Sequence, residues 1–525
     1  MLTRLKVSGF KNLVDVDVRF GPFTCIAGAN GVGKSNLFDA IRFLSTLAEK
    51  PLIEAALSVR DEGGTTADIR SIFHRVGDEY VDEMSFEAEM IIPKEGIDDL
   101  GQKVEANNTF LRYSLTLAYR SDPDSLTLGK LEIIKEELFN IKFSKNQNTF
   151  LFNHKTNWRR SAIKQSRKVF NLITTKELRK QPQRIKPHEE ELFIIEPLNL
   201  PYTILSEKLN NQPQRIKQHK EKLFIIEPLN PPRTILSALF YAGLNPTVTL
   251  ARKEMQSWHL LQLEPSAMRK PDEFISPQKL SMNGSHLAAT LYRLAKENRN
   301  YVDDEISAEE AEAQIYSQVS NYLAELIDDV REVKIDKDDS RQLLTLMVTD
   351  RNGTSYPARS LSDGTLRFLA LVVLALDFQA QGLICLEEPE NGIHPERITK
   401  IIKLLQAMAT DVNEPVGIDN PLRQIIINTH SPSVVMQVPD DSLLFAELRE
   451  KVSSGKRFKG LSFSCLPNTW REKAPEGVNI ISKGELLAYL NPIPIDDTEE
   501  NMQSKPHRVI DREDLKSLIP GLADE

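Results

Sequence analysis

The chain opens on alternating apolar positions. Leu5 and Val7, then Val14, Val16 and Val18, recur at the two-residue period of a half-buried strand, and Gly9-Phe10-Lys11-Asn12 between them has turn chemistry. Residues 2–20 therefore predict a two-stranded hairpin. Lys11 at its turn has two readings, a cation near a bound nucleotide or a solvated turn lysine. Next comes a short apolar β-type run, Phe23-Thr24-Cys25-Ile26-Ala27. Beyond it Leu37, Ala40, Ile41 and Leu44 fall at i, i+3, i+4 and i+7, one face of a helix. The helical pattern of 36–60 is interrupted near Pro51, and 61–66 reads as a loop. Residues 84–92, 110–120 and 126–141 predict strands that continue an antiparallel sheet from the first hairpin.

The pattern changes over 143–237, which is rich in Lys, Asn, Gln and Pro. Residues 180–206 recur at 211–237, an offset of 31, with 21 of 27 aligned positions identical. Solenoids need about three or more copies to be stable, so two near-copies read as a tandem insertion. A basic docking arm using Arg184, Lys186, Arg215, Lys217 and Lys220 is the functional alternative to a solvated charged surface.

Helical periodicity returns at 283–299, with Leu287, Leu291 and Leu294 on one face, and at 308–330, with Ile315, Val319, Leu323 and Leu326 apolar. Neither sustains heptads long enough for an extended coiled coil. Strands are expected at 333–335 and 343–349, then a helix at 366–378. Two short apolar runs follow, Leu383-Ile384-Cys385-Leu386 and Ile425-Ile426-Ile427, each the signature of a buried parallel strand. After 445 the signal thins to a strand at 459–467, a short helix at 484–490 and a polar, flexible tail at 495–525.

The chemistry sits at the ends of these runs. Gly28-Ala29-Asn30-Gly31-Val32-Gly33-Lys34-Ser35 fits G-x-x-x-x-G-K-S between a strand and a helix, the context a phosphate-binding loop requires. Its backbone N–H groups and the helix N-terminus would cradle phosphates, with Asn30, Gly31, Val32, Gly33, Lys34, Ser35 and Asn36 as the nucleotide contacts. Lys34 would reach the β- and γ-phosphates, and Ser35 would hold Mg²⁺. Glu387 and Glu388 emerge at the carboxyl end of one buried strand, where open α/β sheets bind ligands. Neighbouring strand residues face opposite sides, so the two acids do different work. Glu387 is assigned to Mg²⁺ and Glu388 to the attacking water. His430, at the tip of the second apolar strand, reads as a γ-phosphate sensor. Ser362 and Gly364 open the helix at 366–378 and form a second anion site.

As an ordered set these motifs resemble the ABC-type ATPase heads of the SMC/RecF-like group. The likeness is greatest to stand-alone ATPases with an AAA-type core that include the ATPase half of OLD-family proteins. The loop 28–35 matches Walker A, 361–365 the signature, 383–388 Walker B with its glutamate, 389–395 the D-loop and His430 the switch histidine. The signature reads Ser-Asp-Gly-Thr, and Glu387 stands where many such heads have Asp. No Q-loop glutamine can be assigned, and 67–75 is the best location. The wide separation of Lys34 from Ser362 resembles the SMC/RecF branch rather than transporter cassettes.

The resemblance implies an α/β P-loop NTPase head with a mixed sheet, split by a large insert with helices and the duplication. Residues 1–130 would be its first part, 131–275 the insert, 276–445 its second part and 446–525 a small C-terminal extension. It also implies ATP and Mg²⁺ as cofactors, hydrolysis of ATP to ADP and phosphate, and a head-to-tail homodimer, open to higher oligomers, in which each nucleotide meets the partner's signature serine. Three functions remain open: DNA repair, with DNA as a partner; the ATPase subunit of a phage-defence system; and a nucleotide-dependent scaffold that regulates an effector without hydrolysis. No acidic Toprim pattern follows 445, so a nuclease or toxin effector is expected on a separate chain.

Composition narrows this little. The 525 residues carry 66 Lys and Arg against 75 Asp and Glu, a net charge of −9, so nothing overall marks a nucleic-acid binder. Three cysteines form no zinc or disulfide pattern, which suits a reducing cytosol. With no apolar signal core and no run of about 18 apolar residues, no membrane span and a cytoplasmic location are expected.

Overall fold

Leu2–Ser8 and Val16–Arg19 pair antiparallel, with Leu5 opposite Val18 and Val7 opposite Val16, as the alternation predicts. In the computed structural model, which describes residues 1–59, 68–120, 129–142, 152–166, 171–175, 194–195, 233–237, 245–298, 307–453, 456–474 and 478–490, this hairpin is one end of a seven-stranded sheet. Outward from it lie Glu83–Ile91, Phe110–Arg120, Lys130–Asn140, Asn171–Thr175 and Ile194–Ile195. All these pairings are antiparallel except the last. The inner face buries Leu5, Val7, Phe86, Leu115 and Leu117. Phe43 of the helix Lys34–Leu47 stacks between Phe10 and Phe86, at 5.8 and 5.5 Å between ring centres. The helix that follows the candidate phosphate loop is thus anchored to this sheet by its apolar face.

A second seven-stranded sheet runs in the order His259–Leu261, Gly382–Glu387, Arg423–Thr429, Phe23–Ala27, Leu443–Ser453, Lys456–Cys465, Asn479–Ile480. The first five are parallel to their neighbours, and Lys456–Cys465 turns back antiparallel. Strands covered on both faces lose their alternation. Phe23–Ala27 is buried at all five positions and Arg423–Thr429 at all seven. Ile398–Met408 packs beside Arg423–Thr429 and against Asp363–Leu376, while Lys34–Leu47 packs beside His259–Leu261 and Pro246–Gln256.

Several boundaries move for local reasons. The helix expected at 366–378 begins at Asp363, because the Ser362 hydroxyl caps it by accepting from the Thr365 N–H at 3.2 Å. The helix expected at 308–330 runs Ala308–Leu326 behind a capping box of Ser307 and Glu310. Val330–Asp338 and Leu343–Asp350 then pair as a longer ladder than the two short strands foreseen. Leu443–Ser453 was not foreseen as a strand at all.

Within the span expected as the insert, Lys130–Asn140 belongs to the first sheet and His259–Leu261 to the second. The duplication at 180–237, the basic arm within it, the loop at 61–66 and the tail at 495–525 lie outside the described residues, apart from Ile194–Ile195 and 233–237. The latter segment is docked in the core. Ile235 and Leu236 donate their N–H groups to Glu136 at 2.8 and 3.1 Å, and the Tyr113 hydroxyl donates to the same carboxyl at 2.9 Å. Residues 482–525 form a unit of their own, whose described helix, Lys483–Leu490, is capped by Ser482. No described helix is long and apolar enough to cross a membrane.

Candidate functional site

Parallel register assembles the site. Leu261, Leu386, Ile427 and Cys25 are successive partners across four strands. The residues after them, Gln262, Glu387-Glu388, Asn428-Thr429-His430 and the glycine loop, therefore leave the sheet along one edge. They border a cleft of about 700 Å³ lined by Asn30, Gly31, Gly33, Lys34, Ser35 and Asn36, but not Val32, and by Glu387 and Glu388.

The loop shape depends on two glycines with left-handed backbone, Gly31 at φ 78° and Gly33 at φ 96°. Asn12, from the hairpin turn, clamps the loop from outside. It donates to the Val32 carbonyl at 3.0 Å and accepts from the Asn36 amide at 2.8 Å. A Cβ on Gly33 would stand 2.1 Å from the Asn12 amide nitrogen. Asn30 and Gly31 are exposed, Val32 and Lys34 are buried, and Ser35 is half-buried. Lys34 Nζ donates to the carbonyls of Gly28 and Ala29 at 2.7 and 2.9 Å. Burial pulls its ammonium below the ordinary value, against the opposing charges of Glu388, Glu390 and Glu387. Lys11 is not a solvated turn lysine, because it pairs with buried Asp39 at 2.8 Å, and it is not among the cleft-lining residues.

The two acids diverge as their alternation requires. Glu387 lies 3.5 Å from the donating Asn428 amide. Glu388 has φ 46°, a left-handed backbone that a side-chain-bearing residue adopts at a cost of about 1–3 kcal/mol. Its N–H donates to the Asn428 carbonyl at 3.0 Å, which holds the turn. Its carboxylate takes His430 Nδ1 at 2.6 Å and the Asn391 amide at 2.8 Å. Burial raises this carboxyl, but the bonds from Asn391 and His430 and the charges of His430 and Lys34 outweigh it and hold it below the ordinary value. His430 thus reaches the cleft through Glu388.

Ser362 and Gly364 are not among the cleft-lining residues. They sit at the start of Asp363–Leu376 against the turn after Glu388, where a Cβ on Gly364 would meet the Gly392 carbonyl at 2.2 Å. Of the stretch 67–75, the described residues 68–75 are not among the cleft-lining residues either. His74 Nδ1 is 2.6 Å from the Lys11 carbonyl, and Ile72 accepts from the Lys11 N–H, so this stretch buttresses the hairpin. The glutamine in the cleft wall is Gln262, and Arg367, Asn391 and Asn428 line it too. None of these four was singled out from sequence. Gln262 directly follows the apolar Leu260 and Leu261, the one available signal, but a strand of three residues shows no period to read.

The donors present suit a phosphate chain with a hard divalent cation. Ser35, Glu387 and Asn428 offer oxygen ligands of the kind Mg²⁺ takes. Arg367 donates one N–H to the Asn391 carbonyl at 2.9 Å, while its Nε is buried with no hydrogen-bond partner among the described residues. A guanidinium in the cleft wall suits an anionic ligand.

Residues 23–436 match a family model described as "AAA domain, putative AbiEii toxin, Type IV TA system". A stretch of 84 residues is 34% identical to the DNA replication and repair protein RecF of Paenarthrobacter aurescens (strain TC1), covering 13% of this chain and 21% of that protein. The chain thus aligns with about a fifth of that relative's length. Among solved structures, an SMC head bound to the C-winged helix domain of ScpA is 13% identical, with a TM-score of 0.41 over 89% of this chain and 98% of that one. An SMC head with an extended coiled coil from Pyrococcus furiosus, bound to the C-terminal domain of ScpA, is 10% identical, with a TM-score of 0.42 over 88% and 96%.

Proposed function

The chain belongs to this AAA-domain family, and on that premise we propose that it is an ATPase whose loop 28–35 binds ATP with Mg²⁺ and whose paired acids serve its hydrolysis to ADP and phosphate. The observation that carries the reading is the register that sets Lys34, Ser35, Glu387 and Glu388 around one cleft. Loop N–H groups and the N-terminus of Lys34–Leu47 bind the phosphates. Lys34 exchanges its loop carbonyls for phosphate oxygens. Ser35 and Glu387 would hold Mg²⁺, which when bound neutralises phosphate charge. Glu388, kept ionised by Asn391 and His430, orients the attacking water and accepts its proton. His430 fixes that carboxylate and senses the γ-phosphate. Gln262, Asn428 and Arg367 complete the polar wall.

Ser362 and Gly364 stand apart from the cleft of their own chain, which supports their use on the nucleotide of a second copy in a head-to-tail homodimer. The family description names a putative toxin and a toxin–antitoxin system, which supports a role in such a system; a separate nuclease or toxin effector is our further reading. The likeness to RecF spans too little of either chain to favour DNA repair or DNA as the partner.

Phosphate release and nucleotide affinity, measured on the purified chain and on Lys34→Ala, test the reading. Wild type should release phosphate from ATP in a Mg²⁺-dependent way, and Lys34→Ala should neither bind nor hydrolyse. Unchanged affinity in Lys34→Ala would remove the loop from the site.

A further inference from the structure

The turn leaving Gly382–Glu387 carries a third acid, Glu390, to which the proposed reaction gives no task. Glu390 is 8% exposed. Its Oε1 accepts a hydrogen bond from the Thr429 hydroxyl. Its Oε2 is buried and takes no hydrogen bond from another residue among those described. Burial accordingly pushes this carboxyl above its ordinary value, with the Thr429 bond opposing. A buried acid with one partner is a costly way to fill a turn, since each unpaired polar atom costs about 1–3 kcal/mol. Its geometry shows what it accomplishes.

The Thr429 hydroxyl has a second bond. It accepts from the Ser431 N–H at 2.9 Å. One hydroxyl thus ties Glu390 on one side and Ser431 on the other, and His430 is the residue between Thr429 and Ser431. The neighbouring cross-ties run from Glu388 N–H to the Asn428 carbonyl at 3.0 Å and from the His430 ring to Glu388 at 2.6 Å. Glu390 to Thr429 is the buried rung of this ladder between the two strand exits.

We propose that Glu390 is a positioning residue: through Thr429 it fixes the backbone that presents His430 to Glu388, and so sets the orientation of the carboxylate that takes the water proton. The inference rests on the ATPase reading above. It requires the hydrogen bond and not the charge. Glu390→Gln, whose amide oxygen still accepts from Thr429, should therefore act like wild type. Glu390→Ala and Thr429→Val should not, while Thr429→Ser keeps the hydroxyl.

The experiment pairs steady-state ATP hydrolysis with amide hydrogen exchange over a peptide spanning Asn428–Ser431. In Glu390→Ala and Thr429→Val, kcat should fall by about tenfold to a hundredfold, the cost of a small misplacement of a catalytic group, while nucleotide affinity stays within about twofold. The peptide should exchange faster in both variants, the double variant should lose no more than either single one, and Glu390→Gln and Thr429→Ser should match wild type in both measurements. Wild-type kcat in Glu390→Ala, or equal damage in Glu390→Gln, would overturn the proposal, as would a loss of affinity matching the loss of kcat. A wild-type protein that does not hydrolyse ATP would refute the ATPase reading instead. In that case the exchange arm still decides whether Glu390 holds the 428–431 segment, and unchanged exchange in Glu390→Ala would refute that too.

Discussion

His430 and Glu388, 42 residues apart, share a 2.6 Å hydrogen bond between Nδ1 and Oε1. They stand on the exits of two adjacent parallel strands, so the bond is a direct product of sheet register. It leaves one Glu388 oxygen on His430 and the other on Asn391, with Lys34 close enough to stabilise the carboxylate charge.

Glu388→Gln keeps a carbonyl for His430 but cannot accept a proton. Hydrolysis should fall by about 10²–10⁴-fold, the usual worth of a general base, with ATP still bound. The trapped state should run as a dimer on sizing with ATP and as a monomer without it. Turnover at the wild-type rate would move the water-activating role to another residue.

Ser362 caps its helix, so its substitution has a structural and a functional part. Ser362→Ala should cost about 1 kcal/mol of stability through the lost cap. Ser362→Arg should cost the same, leave ATP binding by the single chain intact, and also abolish ATP-dependent dimerisation and hydrolysis. Denaturation and sizing of both variants separate the two parts. Dimerisation of the arginine variant with ATP would exclude the arrangement in which this serine meets a second chain's nucleotide.

Gly33→Ala should weaken nucleotide binding by about tenfold or more, because a left-handed residue with a Cβ costs about 1–2 kcal/mol and displaces the Asn12 clamp. Adding Asn12→Ala removes the collision but not the backbone strain, so the double variant should bind no better than Gly33→Ala. Titration with a fluorescent nucleotide reads both.

Much of this site was legible because its chemistry is local. Gly28 to Ser35, Glu387-Glu388 and His430 each follow an apolar run that buries fully, and such runs need no partner to be seen. What stayed hidden depends on pairing at long range. His259–Leu261 is a strand only because Gly382–Glu387 lies beside it, so the apolar pattern does not mark Gln262 as a residue of the cleft wall. Leu443–Ser453 mixes buried Leu443, Leu444 and Ala446 with charged Glu447, Arg449, Glu450 and Lys451, and only its first three residues pair, in parallel, with Phe23–Ala27. The signal thinned there because one strand serves both a covered and an open part of the sheet.

Glu136 should give stability a pH dependence. Burial raises its carboxyl to about 7, opposed by the N–H groups of Ile235 and Leu236 and by the Tyr113 hydroxyl. A carboxyl raised in the fold contributes its full stability below its unfolded value near 4.5 and loses it as pH rises through about 7. Relative to Glu136→Gln, which resembles the neutral acid, wild type should gain about 3 kcal/mol between neutral pH and pH 4.5. Denaturant melts of both proteins across this window check it, and parallel curves would contradict it.

Deleting 207–237 should leave turnover within about twofold of wild type, because the length of a connection changes closure entropy little. The deletion joins Thr203-Ile204-Leu205-Ser206 to Ala238, restoring the Thr-Ile-Leu-Ser sequence whose second copy holds Glu136. Removing 176–237 takes both copies and should lower the melting temperature. An inactive single-copy deletion would make the duplication part of the core.

Chain order and spatial order diverge most at Phe23–Ala27, which lies between Arg423–Thr429 and Leu443–Ser453. On the ribosome the glycine loop emerges first and waits about 20–80 s, at 5–20 residues per second, for the strands that flank it. During that interval a very apolar strand has neither sheet neighbour, an opening for chaperones or for mispairing with another nascent chain. The proposed hydrolysis cannot begin early, since the acids and the histidine arrive with later strands. On the ATPase reading, turnover is therefore a report that synthesis has passed those strands, and a chain cut before them would carry its phosphate loop with no acids or histidine beside it.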